Sequence, residues 1–138
     1  YAHYENMTAA IARSPAASAP VLVMPGHFVL PFAYYADRMD APMDIRAFPA
    51  NVPDFSQLPG KLGTDDPTPE QIAGLLASLA DQPEVWLMMG NNMKSHQDVM
   101  DAFAAAGFKR QIAVGTADYY PNLNYFTRND DRTLAFGP

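Results

Sequence analysis

Polar residues that could bind a ligand follow two apolar runs of the sequence. The run 21–24 is followed by Pro25, Gly26 and His27, and the run 84–89 is followed by a segment rich in Gly, Asn, Lys, Ser and His. If these runs are neighbouring parallel strands in the order 2-1-3, their carboxyl ends meet where the strand order reverses, which is where open α/β sheets bind ligands. Near a helix N-terminus, such groups could hold a sugar hydroxyl or an anion. The candidate ligand-binding residues are His27, Asn91, Asn92, Lys94 and His96, with Ser95 beside them.

The same residues also have a simpler interpretation. Asn and Gly make turns, Ser95 would cap the following helix, and the two histidines would be solvated. Turn formation is the commoner role of polar loop residues, and the sequence leaves both interpretations open.

Aromatic residues offer a second possible contact with a sugar. Tyr119 and Tyr120 lie in a predicted turn, where they could stack on a sugar ring or cover the surface. For the pairs Tyr34-Tyr35 and Tyr125-Phe126, we expect one member in the core and the other on the surface. We expect Trp86 and the methionines 88, 89 and 100 to fill the core.

Several kinds of chemistry have no motif in this sequence. There are no cysteines, and His3, His27 and His96 lack the spacing of a helical metal site. The patterns of a nucleophile elbow, a dinucleotide fold and a P-loop are absent. The acidic pairs 65–66 and 130–131 lie among residues that favour turns, so we expect their side chains to be solvated. We therefore expect no catalytic residue, no metal and no cofactor.

Composition predicts a folded domain and argues against a nucleic-acid partner. The chain has 138 residues, of which 49% are hydrophobic and 17% charged, and its net charge is −6. This is the size and composition of a single globular domain. Its nine basic residues are scattered, whereas phosphate contacts need clustered Lys and Arg.

Strands and helices alternate along the sequence. Thr68, Pro69 and Gln71 form a capping-box signature, and Gly107 is placed to end a helix. The predicted helices are 4–13, 31–39, one starting at Thr68 and one from Ser95 to Gly107; the predicted strands are 21–24, 43–48, 84–89, 108–114 and 123–128. This order predicts an α/β fold, a three-layer Rossmann-like sandwich. Its mostly parallel sheet would have about five strands, with a C-terminal antiparallel hairpin strand closing one edge. We expect one domain over 1–138, with a long loop at 49–67 and a loose tail at 129–138.

The order of these elements carries a family resemblance. The run Val21-Leu22-Val23-Met24-Pro25-Gly26 precedes a helix with Pro31-Phe32-Ala33-Tyr34-Tyr35, and Val85-Trp86-Leu87 and Gly107-Phe108 follow. This pattern resembles the extracytoplasmic C-terminal domain of polytopic membrane glycosyltransferases. The group is dolichyl-phosphate-mannose–protein mannosyltransferase-like and includes the lipid A aminoarabinose transferases. The first helix differs, because Tyr4-Glu5-Asn6 stands where the family often has an acidic residue and Trp.

The resemblance implies a non-catalytic accessory domain on the periplasmic side of a membrane. In that family the catalytic acidic residues and the lipid-phosphate sugar donor lie in the membrane part, so no catalytic residue carries over. The domain would cover the active site or help to bind a glycan or lipid-linked acceptor. Its main partner would be its own transmembrane region, which we expect upstream because the chain begins at Tyr1 rather than Met.

Two alternatives of other classes stay open at this point. One is a self-contained small-ligand-binding domain or enzyme that uses the crevice at the carboxyl ends of strands 1 and 3. The other is an interaction module that uses the 49–67 loop.

Overall fold

The computed structural model describes residues 2–24, 29–48, 67–89, 95–114 and 122–128. Within these ranges the chain forms helices and strands in alternation, as predicted. The elements are α1 (Ala2–Arg13), β1 (Val21–Met24), α2 (Val29–Arg38), β2 (Ile45–Ala47), α3 (Pro69–Ser78), β3 (Glu84–Met89), α4 (His96–Ala105), β4 (Lys109–Val114) and β5 (Asn122–Thr127). The predicted 49–67 loop, apart from Pro67, and the predicted 129–138 tail lie outside the described residues.

The five strands form one mixed sheet in the order β2-β1-β3-β5-β4. Strand β1 pairs in parallel with β2 and with β3, whereas β5 runs antiparallel to both β3 and β4. Four strands therefore point in one direction and β5 in the other. The predicted α/β class with a mostly parallel sheet is confirmed, and the order begins 2-1-3 as the site hypothesis requires.

The predicted position of the fifth strand is wrong, because β5 does not close an edge of the sheet. It lies between β3 and β4, and β4 is the edge strand. Burial explains the difference: residues 123–127 of β5 are all buried, as in an interior strand covered on both faces. Strand β4 instead begins with exposed Lys109 and Arg110, and charged side chains are typical of a sheet edge.

The sheet carries a hydrophobic core on each face. Successive side chains of a strand point to opposite faces, so Val21 and Val23 join one core and Leu22 and Met24 the other. The first core includes Met7, Ile11 and Phe32 of α1 and α2, and the second includes Ile72, Leu79, Val99 and Phe103 on the α3–α4 side. Because both faces are covered, the four residues of β1 are all fully buried, which is why they read as an unbroken apolar run.

Helix boundaries follow the local chemistry that the sequence displays. Thr68 accepts a hydrogen bond from the backbone of Gln71, and the Gln71 side chain accepts one from the Thr68 backbone, so the predicted capping box is confirmed. After α4, Gly107 has a φ of +93°, which side chains disfavour and glycine adopts freely. Helix α2 starts at Val29, two residues earlier than predicted. Pro31 is compatible with this start, since first-turn N–H groups have no acceptor within the helix.

The single tryptophan joins the connection after α1 to the sheet. Trp86 is fully buried in β3, packs against Tyr125 with ring centroids 5.0 Å apart, and donates from Nε1 to the Ala16 carbonyl at 3.0 Å. The core role predicted for Trp86 is confirmed. The split predicted for Tyr34 and Tyr35 holds in part, since Tyr34 is exposed and Tyr35 is half-buried against the first core.

The same split is wrong for the pair in β5. Both Tyr125 and Phe126 are buried. They lie on an interior strand whose two faces are each covered, so alternation sends them into different cores and neither to the surface.

Candidate functional site

The carboxyl ends of β1 and β3 lie side by side where the strand order reverses, which is where the sequence predicts a ligand-binding crevice. Strand β1 leads through α2 to β2 on one side, and β3 lies on its other side, so the strand order reverses between them. The last residues of the two strands, Met24 and Met89, pair directly. Helix α2 follows β1 and helix α4 follows β3, and they pack on opposite faces of the sheet. This is the geometry in which open α/β sheets bind ligands.

Most of the predicted ligand-binding residues lie outside the described residues. This holds for His27, Asn91, Asn92 and Lys94, and also for Tyr119 and Tyr120. The gathering of His27, Asn91, Asn92 and Lys94 at the crevice stays a prediction, and so does the stacking of Tyr119 and Tyr120 on a sugar.

His96 is the one predicted site residue whose side chain the structure describes. It is the first residue of α4, the helix that begins next to the carboxyl end of β3. The side chain is half-buried, and its Nδ1 atom is buried without a hydrogen-bond partner among the described residues. Buried polar atoms are nearly always hydrogen-bonded, so this nitrogen points to a group that would complete it. The imidazole of His96 is therefore only partly exposed, with Nδ1 turned away from solvent.

The start of α4 also departs from the predicted cap. Ser95 occupies the N-cap position, but its side chain makes no capping hydrogen bond, which corrects the expectation that it caps the helix. The backbone explains why: an N-cap residue normally has an extended conformation, as Thr68 does with ψ 161°, whereas Ser95 has ψ 4°. The Ser95 side chain is buried instead. The first backbone N–H groups of α4 thus lack this side-chain acceptor, and helix N-termini with available N–H groups favour anions.

Helix α2 presents an aromatic surface on its outer side. Tyr34 is 54% exposed and Leu30, one turn before it, is 39% exposed. The Arg38 guanidinium donates to the Tyr34 hydroxyl at 3.2 Å and lies 5.5 Å from the ring centroid. Tyr35 contacts the Tyr34 ring edge-on, with centroids 5.1 Å apart, which holds the exposed ring in place. A ring that is supported from behind and open to solvent could stack on a sugar.

Sequence reasoning missed a buried polar residue in the interior of the sheet. Asn124 is almost fully buried in β5, opposite Leu87 of β3, and its side-chain amide donates to the Leu87 carbonyl at 3.2 Å. Nothing in the local pattern distinguishes it, because an Asn between two apolar residues is also what an exposed position of a half-buried strand looks like. Its hydrogen bond joins two strands, which is a structural role.

Two of the cavities on the described part of the molecule lie away from the carboxyl ends of β1 and β3. One, of about 460 Å³, lies between α3 and α4. The other, of about 520 Å³, lies beside residues that precede β1 and β2, near the amino ends of those strands. Segments 25–28 and 90–94, which would line the crevice, fall outside the described residues. The cavities therefore do not test the predicted site.

The described residues contain no group of His, Asp and Glu that could hold a metal ion. In the same ranges, no helix has the length and hydrophobicity needed to cross a bilayer. Comparison of the chain with known protein families, with characterised proteins and with solved structures gives no match. The class that the structure defines is an α/β domain with a mostly parallel five-stranded sheet and a candidate crevice at its switch point.

Proposed function

We propose that this chain is a non-catalytic accessory domain of a polytopic membrane glycosyltransferase that uses a lipid-phosphate sugar donor. In this proposal the domain lies on the extracytoplasmic side of the membrane and is tethered through transmembrane helices. It covers the active site or helps to bind a glycan or lipid-linked acceptor. We also propose that the fold is a three-layer Rossmann-like sandwich, which is supported by the contribution of α1 and α2 to the core on one face of the sheet and of α3 and α4 to the core on the other.

The order of the elements is the observation that carries this proposal. A helix, an apolar strand and a helix with the Tyr34-Tyr35 pair come first. Val85-Trp86-Leu87 then lies in a fully buried part of β3, and Gly107-Phe108 makes the step from α4 to the β4–β5 antiparallel pair. The resemblance expects these elements in this order, and the order supports the proposal.

The exposed ring of Tyr34 supports the acceptor-binding part of the proposal. An aromatic ring with an open face and a polar hydroxyl suits a ligand that has both apolar and polar surfaces, as a sugar has. Arg38 adds a positive charge beside it, which suits a phosphate on a lipid-linked sugar.

The first experiment is to translate the open reading frame upstream of Tyr1. The proposal expects a row of apolar segments of about 20 residues each, which is the length that spans a bilayer. An acidic residue is expected in the first outer loop. A frame that begins with Met shortly before Tyr1 would show the proposal to be wrong.

A second experiment tests acceptor binding in the full-length protein. We expect Tyr34→Ala to raise the KM for the acceptor and to leave kcat unchanged, because the residue would bind substrate without touching the reacting atoms. Asp37→Ala, at an exposed position of the same helix, serves as the matched control. Equal KM values for the Tyr34 variant and the wild type would remove Tyr34 from the acceptor site.

A second candidate function is small-ligand binding in the crevice, and the buried Nδ1 atom of His96 favours it. The chain would be titrated separately with inorganic phosphate and with a methyl glycoside, while the imidazole resonances are followed by NMR. The His96 imidazole resonances are assigned by their absence in His96→Gln. Saturable shifts of these resonances that persist in Gln97→Ala would support this function. Absence of saturable shifts with both probes would exclude an anion or sugar site of this kind at His96.

A further inference from the structure

An apolar groove lies between α3 and α4. We propose that it binds an amphipathic segment of another protein, one with an apolar face and basic residues at its flanks. This inference goes beyond the proposed function and does not depend on it.

The shape of the groove suits the apolar side of such a segment. It has a volume of about 460 Å³, within the range of binding pockets. Its walls are mainly small or aliphatic, including Ile72 and Leu76 of α3 and Ala102 and Ala105 of α4. Because alanine side chains are short, an occupant can approach the helix backbones closely. An amphipathic helix lying in an apolar groove is a common mode of peptide recognition.

The charged residues around the groove favour a partner of positive charge. In the described stretches 67–81 and 95–106, which contain both helices, the charged side chains are Glu70, Asp81, Asp98 and Asp101. These stretches contain no Lys or Arg. Asp98 lines the groove itself, at the first turn of α4. A segment with basic flanks would therefore be electrostatically complementary, and complementarity of this kind sets specificity.

Arg128 is a described cation that contacts the lining of the groove at one end. Arg128 lies at the C-terminal ends of the two helices, where its guanidinium donates to the carbonyl oxygens of Leu79, Gln82 and Ala106. The groove-lining Ala106 is one of these acceptors, so the Arg128 charge lies at the C-terminal end of α4, whereas Asp98 lines the groove at the first turn of α4. The acidic surroundings disfavour an anionic lipid surface or a nucleic acid, so a basic protein segment is the partner that fits.

The test uses the whole chain and two synthetic peptides. One peptide is an amphipathic helix of Leu and Lys, and the other has Glu in place of each Lys. Binding of fluorescently labelled peptide is measured by anisotropy at low and at high salt. We expect the Lys peptide to bind and the Glu peptide not to bind. The affinity for the Lys peptide should fall as salt rises, because salt screens exposed charges.

Two neighbouring alanines of α4 provide a matched pair of variants. Ala104 and Ala105 are both exposed, but Ala105 lines the groove. We expect Ala105→Leu to fill the groove and weaken peptide binding by at least about tenfold, roughly 1.4 kcal/mol, and Ala104→Leu to leave it unchanged. Leu has nearly the helix propensity of Ala, so both variants should fold, and circular dichroism checks this.

Neutralisation of the acidic lining provides a second, independent variant. Asp98→Asn should weaken binding of the Lys peptide and reduce its salt dependence, whereas Asp81→Asn, away from the groove lining, should do so less. Equal binding of both peptides would overturn the proposal, as would no binding of either peptide or binding that survives Ala105→Leu. Self-association of the chain that Ala105→Leu abolishes would assign the groove to a second copy and would also overturn it.

Discussion

Arg128 stabilises the fold by joining the ends of both helices on one face of the sheet. Its Nε donates to the Gln82 carbonyl at 3.0 Å and one Nη to the Leu79 carbonyl at 3.2 Å, after α3. The other Nη donates to Ala106 at the end of α4. The guanidinium also lies 3.9 Å from the centroid of the Phe108 ring. A positive charge at a helix C-terminus is favourable, because the last carbonyl groups carry partial negative charge.

The size of the effect follows from these contacts. A hydrogen bond from a charged donor contributes about 1.5–3 kcal/mol, but Arg128 is only half-buried and its three bonds are not additive. We therefore expect Arg128→Ala to lower the free energy of unfolding by about 2–4 kcal/mol. Arg128→Lys should lower it by about 1–2 kcal/mol, because lysine keeps the charge but lacks the planar fork that reaches three carbonyls.

The unfolding transition can be followed with the native chain alone. Trp86 is the single tryptophan and is fully buried, so its fluorescence reports the loss of the core. Urea titrations, extrapolated linearly to zero denaturant, give the free energy of unfolding. Arg110→Lys is the matched control, since Arg110 is exposed at the start of β4, and we expect it to stay within about 0.5 kcal/mol of the wild type. If Arg128→Lys also stays within that range, the proposed role of the guanidinium fork is refuted.

Three further substitutions test individual features of the fold by the same urea assay. Gly74→Ala should stabilise the chain by about 0.5–1 kcal/mol, because Gly74 is exposed within α3 and no described atom lies within 4 Å of an added Cβ; a loss of stability would contradict this. Thr68→Ala should cost about 1 kcal/mol by removing the cap of α3, while Thr68→Ser should retain most of it; equal losses would argue against the capping bond. The hydrogen bonds from Arg46 lower the pKa of Asp44 from its ordinary value of 3.8, so the pair stabilises the fold above that value and its contribution is lost as pH falls through the lowered pKa. Both side chains are well exposed, so Asp44→Asn should lower the free energy of unfolding by no more than about 0.5 kcal/mol near neutral pH. The stability difference between the variant and the wild type should shrink on acidification. A difference that grows would contradict the direction of the pKa shift.

The strands could be read from the sequence because both faces of the sheet are covered. Burial on two faces removes the polar alternation, so 21–24 and 84–89 appear as unbroken apolar runs, and both boundaries are confirmed. The cap of α3 could be read because Thr68 and Gln71 stand at a spacing with a local physical cause. These features depend on residues close together in the chain.

The position of β5 could not be read in the same way. Which strand lies at an edge depends on pairing between residues far apart in the chain, such as Glu84 with Thr127. The sequence nevertheless contained a usable signal. Lys109 and Arg110 open β4 with two charges, whereas 123–127 contains none, and this contrast places β4 at the edge.

At the start of α4 the structure departs from the usual rules for helix capping and for hydrogen bonding of buried polar atoms. The sheet topology independently indicates the same region as a candidate ligand site. Ser95 stands at an N-cap position without capping, and the Nδ1 atom of His96 is buried without a partner among the described residues. A buried polar group left unsatisfied costs about 1–3 kcal/mol. Natural sequences retain such local departures mainly at functional or strained sites. Because α4 follows β3 at the point where the strand order reverses, an argument from local energetics and one from topology converge on His96, and this makes it the first residue at which to look for a ligand.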